Sequence, residues 1–162
     1  MTSEVITDDK VEVIVFTLKD TKTKRNEIYG VNVKQIQEIR NVEKITRLPK
    51  SPEFVKGIMN LRGQIITIID VKQKLDFDTN NEENQNSSIL ISKINDQTLG
   101  FLIDDVDDVI RIDEKDIDRN TLENSDSASY LQGFVKTNDR LIILLDLEKL
   151  ILNTKINSED VK

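Results

Sequence analysis

The chain has 162 residues, a formal net charge of −7, and neither Cys nor His. That length can bury one full-sized core or two small ones. The missing Cys excludes disulfide staples, zinc ribbons and thiol chemistry and suits a reducing cytoplasm, while an acidic balance with 4 % aromatic residues disfavours nucleic acid and anionic lipid as partners.

In chain order, the opening MTSEVITDDKVEV is acidic, with neither a basic n-region nor an apolar h-region, so it is not a signal peptide. No apolar run approaches the length of a membrane span. Residues 1–10 are expected to form a flexible tail. Segments 11–18 and 27–33, rich in Ile and Val and bounded by turn residues, read as strands. Val33, Ile36 and Ile39 are spaced by threes, which predicts a single helical turn. Pro49 and Pro52 bracket a loop, and 52–56 is expected to open one helical turn with proline at its first position. Strands follow at 57–61 and 64–70, joined by Arg62-Gly63, whose glycine supplies a positive φ. A polar, Asn-rich linker, DFDTNNEENQNS at 76–87, divides the chain. Beyond it, strands are predicted at 88–94, 98–103, 106–112, 133–136 and 141–146, with Asn95-Asp96 as a tight hairpin turn. Asp146 is placed to cap a short helix, LEKLILNTK, and the tail 153–162 is expected to fray.

The two parts repeat one another. GIMNLRGQIITIID, from Gly57 to Asp70, and GFVKTNDRLIILLD, from Gly133 to Asp146, match at the apolar positions Ile58/Phe134, Met59/Val135, Ile65/Leu141, Ile66/Ile142, Ile68/Leu144 and Ile69/Leu145. VIVFTLKD at Val13 aligns with ILISKIND at Ile89 at the same offset of 76 residues. Tyr29-Gly30-Val31 with Ile36, Glu38 and Ile39 aligns with Leu99-Gly100-Phe101 and Val106, Asp108 and Val109 at an offset of 70. The register slips in one loop and recovers in another, as a duplicated β unit should behave. The first copy carries Asn60-Leu61-Arg62-Gly63 at its hairpin where the second has Lys136-Thr137-Asn138-Asp139. That unmatched turn is the first candidate for function.

The expected fold is therefore all-β: two small five-stranded β-barrel subdomains packed together, with short helical turns and a short C-terminal helix. The domain is read as 11–152, with halves at about 11–75 and 88–151 and a groove between the halves as a natural binding site. Catalysis finds little support. Without His and Cys the triad imidazole and the thiolate are gone, and there is no phosphate-cradling glycine loop or nucleophile elbow. The carboxylates Asp104, Asp105, Asp107 and Asp108 could in principle serve a hydrolase or hold a divalent cation, but they lack the spacing of a calcium loop, and a solvated acidic strand is the simpler reading.

Several blocks resemble the CheW family, the coupling proteins of bacterial chemotaxis. They are Tyr29-Gly30-Val31 with Glu38, Ile45-Thr46-Arg47-Leu48-Pro49, Phe54 to Gly63, Ile68-Ile69-Asp70, Leu99-Gly100-Phe101, Val106-Asp107-Asp108-Val109, Tyr130-Leu131-Gln132-Gly133 and Ile143 to Leu150. The resemblance covers about residues 11 to 152. It implies two five-stranded barrels, no catalysis, no cofactor and no metal. It also implies a cytoplasmic adaptor that joins the cytoplasmic tip of methyl-accepting chemoreceptors to the regulatory domain of the histidine kinase CheA at membrane receptor arrays, with ring assembly alongside the kinase. A scaffold of another sensory or pilus-motility pathway would have the same domain. The hairpin 19–27 is longer and more basic than the family pattern, and the loop 113–129 is more acidic and lacks an aromatic often found there.

On this reading Ile36, Glu38, Ile39, Gly57, Met59, Arg62 and Val109 form a receptor-binding groove. A turn needs the glycine of Arg62-Gly63 but not the arginine, whose planar fork is expected to orient Glu38 or backbone carbonyls, or to meet an acidic receptor residue. The kinase-binding surfaces are expected at Asp70, Val71 and Lys72 in the first half, and at Leu99, Gly100, Gly133, Lys136 and Asp139 in the second.

Overall fold

The computed structural model describes residues 9–20, 24, 26–77, 87–119 and 130–152. Among the described residues ten strands and two short α-helices are formed: β1 (Lys10–Lys19), β2 (Asn26–Asn32), β3 (Glu38–Asn41), β4 (Val55–Leu61), β5 (Gln64–Asp70), α1 (Val71–Lys74), β6 (Ser88–Ile94), β7 (Gln97–Ile103), β8 (Val106–Asp113), β9 (Leu131–Thr137), β10 (Arg140–Leu145) and α2 (Leu147–Leu152). They build two five-stranded sheets with the orders β8-β1-β2-β10-β9 and β3-β6-β7-β5-β4. The chain divides into two compact units: one holds Ile28–Val33 and the residues up to Val15 and from Asp108 on, the other Phe16–Glu27 and Lys34–Asp107.

Alternation along the strands produces each core. Val13 and Val15 on β1, Val135 on β9, and Ile142 and Leu144 on β10 pack with Ile112 in the first unit. Met59 and Leu61 on β4, Ile66 and Ile68 on β5, and Ile89 and Ile91 on β6 do the same in the second. Every pair lies two residues apart, the period that sends side chains to one face of a strand.

Three hairpins turn at Arg62-Gly63, Asn95-Asp96 and Asn138-Asp139, and all six residues have positive φ, between 45° and 85°. Such primed turns twist with the strands they join. The outer strands β4 and β9 are guarded in the same way. Thr46 exchanges backbone hydrogen bonds with Ile58, and Asp118 with Phe134. Gly57 and Gly133 lie beside these bridges with φ of 153° and 154°, where a side chain would run into the carbonyls of Thr46 and Asp118.

The single helical turn expected from the spacing by threes is present as a 3-10 turn, Val33–Gln35, and it interrupts the strand pattern between β2 and β3. The strand β3 itself was not expected; Glu38 to Asn41 find partners on β6 from Ile91 to Ser88. One local expectation needs correction. No helical turn opens at Pro52; the Val55 amide donates to its carbonyl and β4 begins at once. The linker 76–87 lies outside the described residues except at its ends, as do the tail 153–162, most of the tip of the first hairpin and 120–129 of the acidic loop.

The halves read from the sequence are not the sheets. The first sheet joins β1 and β2 of the first repeat to β8, β9 and β10 of the second, and the other sheet makes the reciprocal choice. The reason is the parallel pairing of β10 with β2 and of β5 with β7, for which an alternating apolar pattern carries no address.

Candidate functional site

Arg62 occupies the first central position of the β4–β5 hairpin, in the left-handed region at φ 51°, a conformation that costs an ordinary L-residue about 1 kcal/mol or more. The turn is held by the side chain of Asn60, whose Oδ1 accepts from the Gly63 amide at 2.8 Å. The arginine is 70 % exposed, and one Nη donates to Oε2 of Glu38 at 2.8 Å. Glu38 also meets Arg40 at 3.4 Å, and Arg40 reaches Glu43 at 2.8 Å. Two arginines and two glutamates thus alternate along one edge of the second unit.

This network closes a seam. β3 and β4 are the two outer strands of their sheet; held flat at about 4.8 Å per strand they would lie roughly 19 Å apart, beyond the combined reach of an arginine and a glutamate. The Arg62–Glu38 pair is made because the sheet rolls into a barrel. Its electrostatics follow: the Arg62 guanidinium, more than any other neighbour, holds the Glu38 carboxyl below its ordinary value, with Arg40 adding to the effect against a smaller upward push from burial. Glu43 and Glu38 together push the Arg40 guanidinium up.

Next to the turn lies a shallow depression lined by Glu43, Lys44, Thr46, Ile58, Met59, Asn60 and Ile65. Ile65 is 61 % exposed, and Ile39 beside Glu38 is 43 % exposed. Ile36 is half-buried, Gly57 is enclosed by Thr46, and Met59 sits in the core with its edge on the depression. Val109 is exposed on β8, in the other unit.

The first unit has a seam of the same design. Asp108, which aligns with Glu38, faces Arg140 at the start of β10, 3.5 Å away. Val109 and Leu141, which align with Ile39 and Ile65, are likewise exposed. Lys136 and Asp139 on the β9–β10 hairpin are open to solvent.

The other expected kinase contacts are not open. Val71 is fully enclosed and Leu99 and Asp70 are nearly so, while Gly100 and Gly133 are covered by neighbouring strands and loops. Asp70 caps α1, accepting from the amides of Lys72 and Gln73. Burial pushes its carboxyl up, against the pull of those amides and of the Lys56 and Lys72 charges. The Lys72 ammonium is taken by Asp104 at 3.0 Å, both side chains largely buried.

That pair accounts for part of the acidic run. Asp104 also accepts from the Lys19 amide and Asp107 from the Thr17 hydroxyl at 2.6 Å, while Asp108 forms its ion pair with Arg140. Three of the four carboxylates have separate partners rather than a shared centre. Sequence reasoning missed Arg40, Glu43 and Ile65. The alternation Glu38-Arg40 was visible, but not that β3 would run as an edge strand; Ile65 could have been flagged through its match to Leu141.

The family model for the CheW-like domain matches residues 12–155. The chain is 32 % identical over 142 residues to the chemotaxis protein CheW of Klebsiella aerogenes, covering 86 % of this chain and 81 % of that one. It is 36 % identical over 120 residues to the chemotaxis protein CheW of Thermotoga maritima, covering 74 % and 78 %. Among solved structures it resembles the scaffolding protein TtCheW of Thermoanaerobacter tengcongensis, with a TM-score of 0.73, 33 % identity and 86 % of each chain covered.

Proposed function

The chain belongs to the CheW-like domain family, and from that premise we propose how it serves as a chemotaxis adaptor: it couples the cytoplasmic tip of chemoreceptors to the regulatory domain of the histidine kinase CheA and is drawn to membrane arrays by both. Among its described residues no helix is long and apolar enough to cross a membrane, so recruitment would come from protein contacts. The observation that carries the receptor side of this reading is the Arg62–Glu38 pair. An arginine kept at a backbone angle that suits Asn or Gly better, and 70 % exposed, contributes little to burial; beyond its pair with Glu38 it presents an open planar donor, which supports a role in recognition. Ile39 and Ile65 supply exposed apolar surface around it, suited to an amphipathic receptor helix.

For the kinase side the surface narrows to Lys136 and Asp139 of the β9–β10 hairpin, since the remaining candidates are enclosed or paired. Two distinct contact surfaces on one adaptor would let it join a ring by heterologous contacts. The family is one of scaffolds, and no catalytic step is assigned to the acidic strand.

The test is substitution. Arg62→Ala should change stability by no more than about 0.5 kcal/mol while weakening binding to a receptor-tip fragment about tenfold, near 1.4 kcal/mol. A variant that melts early, or binds as the parent does, would remove Arg62 from the receptor site. Lys136→Glu should weaken binding to the isolated kinase regulatory domain about fivefold, as loss of one exposed charge contact implies, and leave receptor binding as it was. Unaltered kinase binding would move the kinase surface elsewhere.

A further inference from the structure

The reciprocal choice of strands is reproduced residue by residue. In the first sheet β10 pairs with β2 at Ile143 with Tyr29, Leu144 with Gly30 and Leu145 with Val31. In the second, β5 pairs with β7 at Thr67 with Leu99, Ile68 with Gly100 and Ile69 with Phe101. Under the sequence alignment of the repeats these are the same three pairs with the repeats interchanged. The antiparallel ladders agree as well: Met59 with Ile66 corresponds to Val135 with Ile142, and Asn60 with Ile65 to Lys136 with Leu141.

Packing follows the exchange. A side chain added at Gly30 would strike Val13 of its own repeat and Ile142 and Leu144 of the other. One added at Gly100 would strike Ile89 of its own repeat and Ile66 and Ile68 of the other. These neighbours are equivalent one for one, and all belong to the two cores. Each repeat therefore leaves a two-stranded hairpin, β1–β2 or β6–β7, that has no sheet of its own, beside three strands that lack a centre. A lone hairpin is marginal in water, and a sheet missing its middle strands exposes unpaired backbone.

We propose that the folding unit of this protein is one first repeat paired with one second repeat, and that a second copy of the chain can supply either, giving an exchanged dimer held by the same strand registers as the monomer. The occupant is a second copy because the complementary surface is the other repeat itself, down to the register of three residue pairs. Reciprocal exchange of identical elements is the general route by which such intramolecular pairings become intermolecular.

Two full-length variants test this. Gly30→Glu places a carboxylate among Val13, Ile142 and Leu144 and damages the first repeat; Gly100→Glu damages the second in the equivalent place. Each alone should regain only the sheet whose core its substitution leaves intact and elute with the mass of one chain. Refolded together in equal amounts, one chain contributes its sound first repeat and the other its sound second repeat, so the mixture should contain molecules with both sheets formed that elute with the mass of two chains. A mixture that elutes only as single chains overturns the proposal. A second measurement uses the wild-type chain with a protease site placed in the linker between the repeats. Cut after folding, its two pieces should co-elute, separate only in denaturant, and regain structure only when remixed. A piece that regains its sheet alone equally overturns the proposal.

Discussion

Arg62 combines an unfavourable backbone angle with a favourable charge contact, and the two are separable. Arg62→Asn keeps a residue that tolerates φ near 51° and deletes the partner of Glu38. Stability should stay within about 0.5 kcal/mol of the parent, because relief at the turn offsets the lost pair. The Glu38 carboxyl should titrate at a higher pH in the variant, since Arg62 is the largest of the influences that lower it. A carboxyl held below its ordinary value contributes stability that is present above the unfolded value and lost as pH falls through the folded one; in the variant, whose folded value lies closer to the unfolded one, that loss should be smaller. Carboxyl carbon NMR through an acid titration reads this, and an unmoved Glu38 would mean that Arg62 does not govern it. The pairing of Arg62 with Glu38 was legible only as one of three options for the planar fork, beside backbone carbonyls and an acidic receptor residue; the structure shows the Glu38 pair. Arg40 and Glu43 were not legible, since their part depends on a seam that exists only once the sheet has rolled.

Among the elements, the two helices are the same device used twice. Asp70, the last residue of β5, and Asp146, the residue after β10, accept from amides of the helix that follows, Lys72 and Gln73 in one case and Lys149 in the other. Asp146 was legible as a cap because six helix-forming residues follow it. The shorter α1 was not, although Asp70 holds the corresponding place, because one turn of VKQK has no periodicity to detect. Asp70→Ala should cost about 1 kcal/mol, and Asp70→Asn less, since an amide oxygen can still cap. Burial raises the Asp70 carboxyl, so its contribution is fully present below the unfolded value and is lost as pH rises through the folded one. Relative to Asp70→Asn, the parent should therefore lose stability as pH climbs out of the acid range. Urea melts of both proteins at several pH values check this, and a constant difference would mean that Asp70 ionises as freely folded as unfolded. The strand β3 was not legible: the spacing of Val33, Ile36 and Ile39 marked the single turn at Val33–Gln35, whereas Glu38 to Asn41 form a strand only because β6 offers them hydrogen-bonding positions.

For the whole molecule, the duplication was legible and its use was not. Matching apolar positions reveal that two stretches adopt the same structure; they do not say which copy of a strand pairs with which. The parallel pairing of Ile28 with Ile142 brings together residues near opposite ends of the chain. Closing contacts of such sequence separation before any are rewarded is slow, so refolding should fall in the range of about a millisecond to seconds or longer. Stopped-flow fluorescence of a variant with one added tryptophan would show this, and complete refolding in microseconds would contradict it. A different consequence belongs to the ribosome. Within this domain β1 and β2 emerge before the other strands, but the strand that pairs with β2 is β10, the last of the ten in chain order. At roughly 5–20 residues per second the early hairpin waits on the order of ten seconds for its neighbour, with its apolar faces offered to chaperones. A product terminated between Ile103 and Arg140 has the strands of the second sheet but lacks β10 of the first, so it meets the proteases of the cell before it can compete with the finished adaptor for a partner.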